Sequence, residues 1–147
     1  MINFKLEPMN FNKLGIEYNI VKIDNSNIYY FYELINNSIY NFNEEIKWDG
    51  MFDFNEAYDR IKNGMIMYVG IQNAAVFGHV WFKDYNDGKF LFNLFVKNKT
   101  NNKQYKGKEF ISDIIDRFEY NKIIYSEVDD WNEKSIKLFK RLGFDVI

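Results

Sequence analysis

The order of elements along this chain predicts a mixed α+β domain. Three observations carry that reading. A three-stranded meander is signalled by two turns, Gln72-Asn73 and Asn86-Asp87-Gly88, the second a strong hairpin signal. A strand–helix–strand step over 90–128 then implies a right-handed parallel crossover. The remaining strands are expected to pair antiparallel, giving a mixed sheet with helices on both faces.

The elements follow in order. Residues 16–23 (I-E-Y-N-I-V-K-I) read as a first strand, rich in β-branched side chains. Asp24, Asn25 and Ser26 offer N-caps to a helix with apolar residues at Ile28, Phe31, Ile35 and Ile39. The stretch 41–54 is irregular and aromatic. A short helix over 55–62 stops at Asn63-Gly64, a C-cap signal. Strands follow over 65–71, 76–83 and 89–96, then a polar loop, K-N-K-T-N-N-K-Q. Residues 110–118 form an amphipathic helix with Phe110, Ile111, Ile114, Ile115 and Phe118 on one arc. Ser112, Asp113, Asp116 and Glu119 are expected on the opposite arc. A strand over 122–128 and a helix over 132–142 complete the chain.

Composition narrows the function. The 147 residues fit one domain spanning 1–147, and 47% hydrophobic with 20% aromatic content argues for a folded core. A net charge of −2 steers the chain neither to nucleic acid nor to a membrane. Cysteine is absent and histidine occurs once, so neither disulfides nor a Cys- or His-rich metal site is expected. No apolar run approaches a membrane span, and the N-terminus lacks a signal-peptide stretch, so a cytoplasmic protein is expected. His79, between Phe77 and Trp81, reads as structural.

The most specific pattern is V-D-D-W-N-E-K-S-I-K-L-F-K-R-L-G-F over 128–144. It resembles the closing motif of the GCN5-related N-acetyltransferases, V-D-x-x-N-x-x-A-I-x-L-Y-x-K-L-G-F. A second stretch, Y-K-G-K-E-F-I-S-D-I-I-D-R-F over 105–118, is similar to that family's phosphate loop and the helix behind it. The resemblance implies an acyl-CoA N-acyltransferase-like fold, acetyl-CoA as cosubstrate and a primary amine as acceptor. It places Leu94 and Val96 along the coenzyme arm. It places Lys106, Gly107, Lys108, Glu109 and Phe110 at the pyrophosphate, Asn132 against the coenzyme arm and Phe139 at the leaving thiolate.

Three positions depart from the family pattern. Glu109 and Ile111 replace glycines, and Glu109 is expected to set a carboxylate where phosphate would sit. Phe139 replaces the tyrosine that protonates the leaving thiolate. Tyr125 and Glu127, which share one face of the strand before the motif, are the weak candidates for acid or base. Glu44, Glu45, Asp49 and Asp53, within 39–54, are candidates for attracting a cationic amine. The departures keep open a second reading, a catalytically degenerate binding or assembly protein of the phage-encoded or particle-associated kind. Family members usually continue past G-F with a strand hairpin. The sheet is therefore expected to be truncated after the last helix, with the missing strand supplied by a partner chain in a homodimer.

Overall fold

A computed structural model describes residues 1–9, 18–29, 54–72, 75–96 and 107–147. Seven strands form one sheet, in the order β2-β3-β4-β5-β6-β1-β7. The strands are β1 (Ile2–Leu6), β2 (Asn19–Ile23), β3 (Ile66–Gln72), β4 (Ala75–Tyr85), β5 (Gly88–Val96), β6 (Ile124–Val128) and β7 (Asp145–Val146). The described residues include the helices α1 (Phe54–Lys62), α2 (Gly107–Phe118) and α3 (Glu133–Leu142), with a 3-10 turn at Asn25–Asn27. Only β5 and β6 pair in parallel, around the crossover through α2; every other neighbour is antiparallel. The mixed α+β architecture expected from the sequence is the one observed.

Two apolar clusters sandwich the sheet. Ala57 and Ile61 of α1 pack on Ile23, Met67, Val69 and Trp81. On the other face α2 and α3 pack on Phe4, Tyr68, Val80, Phe82, Leu91 and Val128. Central strands buried from both sides read as near-continuous apolar runs, as in M-Y-V of β3. His79 is buried in β4, opposite Val69 of β3.

The local signals work as physical chemistry requires. Tyr85 pairs with Gly88 across the β4–β5 turn, and Asn86 takes the positive φ of 46° that asparagine tolerates. Gly88 has no room for a side chain, because a Cβ there would lie 2.1 Å from the Ile123 carbonyl oxygen. That close approach lets the Lys89 amide donate to the same oxygen at 2.9 Å, starting the β5–β6 pairing. Asn132 caps α3 by accepting from the Ser135 amide at 3.2 Å, and Gly143 ends it at φ 99°.

The structure corrects the expected C-terminal edge. A short β7 follows α3, and the strand beyond β6 comes from the chain's own N-terminus. β1 pairs with β6 from Ile2↔Val128 to Leu6↔Ile124, and β7 pairs with β1 at Phe4↔Val146 and Lys5↔Asp145. The outer edge of β6 is thus filled by β1 of the same chain. Ile2, Phe4 and Leu6 alternate as a half-buried strand does, and Phe4 and Leu6 enter the core.

A second correction concerns α2. Ser112, Asp113 and Glu119 are buried, not solvated. The Ser112 hydroxyl donates back to the Lys108 carbonyl at 2.8 Å. The Tyr18 hydroxyl donates to Asp113, and the Tyr68 hydroxyl to Glu119. Lys122 Nζ lies 3.2 Å from the Glu119 carboxylate. The helix expected over 28–39 and the acidic loop residues Glu44, Glu45, Asp49 and Asp53 lie outside the described residues. Among the described residues, no helix is long and apolar enough to cross a membrane.

Candidate active site

The site forms where two parallel strands part. β5 and β6 pair only at Lys89↔Ile124, Phe90↔Tyr125 and Leu91↔Ser126. The Ser126 hydroxyl donates to the Leu91 carbonyl at 3.0 Å and closes this zipped end. Beyond it, β5 runs on to Val96 and β6 to Val128 without pairing to each other.

A β-bulge explains the parting. Phe82 pairs with Leu91 while Trp81 pairs with Asn93, so Phe92 is an extra residue in β5. A bulge bends its strand and increases its twist. It also resets the alternation of side chains. Leu91, Leu94 and Val96 all pack toward α2 and α3, although Leu91 and Leu94 are three apart in sequence. Phe92 packs on the opposite, α1 side.

The N-terminus of α2 overhangs the open half. A Cβ on Gly107 would lie 3.3 Å from a Leu138 methyl and 3.5 Å from a Leu94 methyl. Gly107 therefore lets the start of α2 pack closely on Leu94 of β5 and Leu138 of α3. The first four amides of a helix have no partner within it, and the dipole there favours an anion. Lys108 beside it is exposed, and Lys106 lies outside the described residues.

Glu109 lies on another side of α2 from Gly107. A helical step of about 100° per residue puts its side chain roughly 200° around α2 from Gly107. Burial, the hydrogen bond from its hydroxyl to Asp113 and the nearby charge of Glu109 together push the Tyr18 phenol pKa up. Phe77 and Phe110 pack against the Tyr18 ring at 4.8 and 6.1 Å. Ile111, at the other lost glycine, is fully buried in the core.

Asn132 is committed to its helix cap. Phe139 is buried, with its ring 5.5 Å from Phe4 and 4.9 Å from Phe144. The N-terminal strand thus supplies a neighbour for the phenylalanine at the usual tyrosine position. Phe110 is buried under α2 against Phe77, at 5.3 Å.

The two acid–base candidates part company. The Tyr125 hydroxyl donates to Asp87 at 2.7 Å, beside the β4–β5 turn, at the zipped end. That bond raises the Tyr125 pKa and lowers that of Asp87. Glu127 is exposed and is the first β6 residue beyond the last β5 pair. By strand alternation it shares Tyr125's face, opposite the buried Ser126 and Val128. Asn93, not singled out in the sequence, pairs with Trp81 and so faces the α1 side. Its side-chain oxygen is buried without a hydrogen-bond partner among the described residues.

Several solved structures share this fold. An aminoglycoside N-acetyltransferase in complex with CoA superposes with a TM-score of 0.58 at 16% identity, covering 90% of each chain. A GNAT-family acetyltransferase from Bacillus cereus gives 0.56 at 18% identity, over 89% of this chain and 84% of that one. A ribosomal-protein-alanine N-acetyltransferase from Brucella melitensis biovar Abortus gives 0.55 at 12% identity, over 85% of this chain and 90% of that one. No family model matches the sequence, and no curated protein does. The fold is that of the GCN5-related N-acetyltransferases, as the two sequence motifs implied.

Proposed function

We propose that the chain transfers an acetyl group from acetyl-CoA to a primary amine. The single observation that carries this reading is the parting of β5 from β6 beneath the N-terminus of α2. Among the described residues, no strand pairs with the 92–96 edge of β5 that faces β6. An extended pantetheine arm can bond to that edge as an added strand does. Leu94 and Val96 would flank that arm, and the Gly107 to Phe110 amides would face the pyrophosphate, with Lys108 beside them. When bound, acetyl-CoA supplies a thioester whose acyl C–S bond is exchanged for a C–N bond to the amine.

The protein's own part is positioning and proton removal. Glu127 stands on the exposed face at the start of the gap, where it can take a proton from the incoming ammonium. Phe139 donates no proton, so the thiolate leaves without help from that position. Thiolates are tolerable leaving groups near neutral pH, since a free cysteine thiol has a pKa of about 8.5. A cytoplasmic setting, where CoA thioesters are made, belongs to the same reading.

Thermal unfolding with acetyl-CoA tests the proposal. At a hundred times its dissociation constant a ligand adds about 2.7 kcal/mol to stability, so a clear rise in Tm is expected. The packing of Phe139 in the core favours the second reading, a degenerate binding or assembly protein. No Tm change at millimolar acetyl-CoA would select it.

A further inference from the structure

Ser126 is a polar residue in an apolar row. Directly opposed residues of neighbouring strands share a face of the sheet. The row through Ser126 runs Phe82, Leu91, Ser126, Phe4 across β4, β5, β6 and β1. All four are buried, and the other three belong to the core under α2 and α3. The inward positions on either side of it along β6 are Ile124 and Val128, also apolar and buried. Packing alone calls for an aliphatic side chain here. A buried hydroxyl needs a hydrogen-bond partner, and Ser126 finds it in the Leu91 carbonyl, at 3.0 Å.

That carbonyl marks a particular place. It belongs to the peptide leading into Phe92, the extra residue of the bulge, and Leu91↔Ser126 is the last pair before β5 and β6 part. Paired strands lie about 4.8 Å apart, too close to admit a carbon chain between them, and an arm inserted as an added strand needs about twice that spacing. The Leu91–Ser126 pair is therefore the floor of the gap. A coenzyme with its pyrophosphate at the start of α2 points its acyl end toward this floor. Leu91, Leu94 and Val128 wall the floor on the helix side. A chain turned to the other side meets the approach of the amine beside Glu127.

We infer that Ser126 determines acyl-group specificity. By holding the Leu91 carbonyl it fixes where the fork closes, leaving depth for an acetyl group and not for a longer chain. The inference deepens the transferase reading and rests on it.

Calorimetric titration of the full chain with CoA, acetyl-CoA and butyryl-CoA tests it. The two thioesters differ by two methylenes, and a single methylene in a shaped pocket is worth about tenfold or more. Acetyl-CoA is expected to bind at least about tenfold tighter than butyryl-CoA. Ser126→Ala removes the hydroxyl, lets the fork open past Leu91, and should bring that ratio to within about threefold. Ser126→Thr keeps the hydroxyl and should keep the parent ratio. A hydroxyl with a merely structural role would lower stability in Ser126→Ala and leave the ratio alone, so an unchanged ratio overturns the inference. Equal binding of the two thioesters by the parent protein, or a ratio that collapses in Ser126→Thr as it does in Ser126→Ala, also overturns it. In each of these cases CoA still binds, so the transferase reading stands while this inference falls. If neither CoA nor either thioester binds at millimolar concentration, the transferase reading itself falls and takes this inference with it.

Discussion

β6 has two edges, and the chain treats them differently. On its outer edge β6 pairs with β1 along its whole length, from Ile124↔Leu6 to Val128↔Ile2. On its inner edge it pairs with β5 only as far as Ser126. The strand is the same, so the difference lies in its partners. β1 alternates regularly, while β5 carries an extra residue at Phe92. A cleft of this kind thus needs two devices: a bulge to bend one wall away, and a full ladder to hold the other wall straight.

Breaking the outer ladder should have the largest effect. Phe4 is fully buried and its ring touches those of Phe139 and Phe144. Phe4→Ala is expected to cost about 3–5 kcal/mol, through lost burial plus a cavity. Urea unfolding measures this directly. A cost under about 1 kcal/mol would mean that β1 is not part of the sheet.

On the open side the corresponding probe is Glu127→Gln. If this carboxylate takes the amine proton, kcat should fall about a hundredfold near neutral pH. The acetyl-CoA Tm shift should survive, and the loss should shrink at alkaline pH, where the amine is already deprotonated. A pH–rate profile parallel to that of the parent protein would remove Glu127 from the chemistry.

The next effect concerns what holds α2 over the gap. Its C-terminal end is tied to β3 by the hydroxyl of Tyr68 on the buried Glu119. Tyr68→Phe leaves that carboxylate with one donor fewer, at about 1–3 kcal/mol. Burial first, then the charge of Glu119, pushes the Tyr68 phenol above its ordinary value of 10.0. A folded-state pKa raised above the unfolded one stabilises fully below about pH 10 and loses that contribution as pH rises toward the folded value. Stability should therefore fall steeply in strong alkali, and less steeply in Tyr68→Phe. Tyr18 on Asp113, shifted in the same direction, accounts for part of the remaining slope.

Much of this fold was legible because its signals are local. The Asn86-Asp87-Gly88 turn, the Asn132 cap and the Gly143 stop each act within a few residues. What escaped reading depends on distant partners. Ile2, Phe4 and Leu6 alternate in plain view, yet their partners lie on β6, near the other end of the chain. Asp113 and Glu119 look like a solvated face until Tyr18, just before β2, and Tyr68 of β3 arrive. The site was legible as a motif but not as geometry. Glu109 sits where the motif puts it, and the phase of α2 sets it on another side of the helix from Gly107. Asn93 carried no signal, although the three-residue spacing of Leu91 and Leu94 marks the irregularity that turns it to the α1 side.

The smallest expected effect sharpens the comparison most cleanly. Tyr125 and Glu127 are two residues apart on one face of β6, so sequence alone ranks them equally. Tyr125 lies on the zipped side of Ser126, between Phe90 and Lys5, with its hydroxyl spent on Asp87. Glu127 lies just beyond. If the limit of β5–β6 pairing is the boundary of the active site, Tyr125→Phe should leave kcat/KM within about twofold of the parent value. A loss near that of Glu127→Gln would place chemistry inside the paired segment. The parting of the two strands would then not be what makes the site.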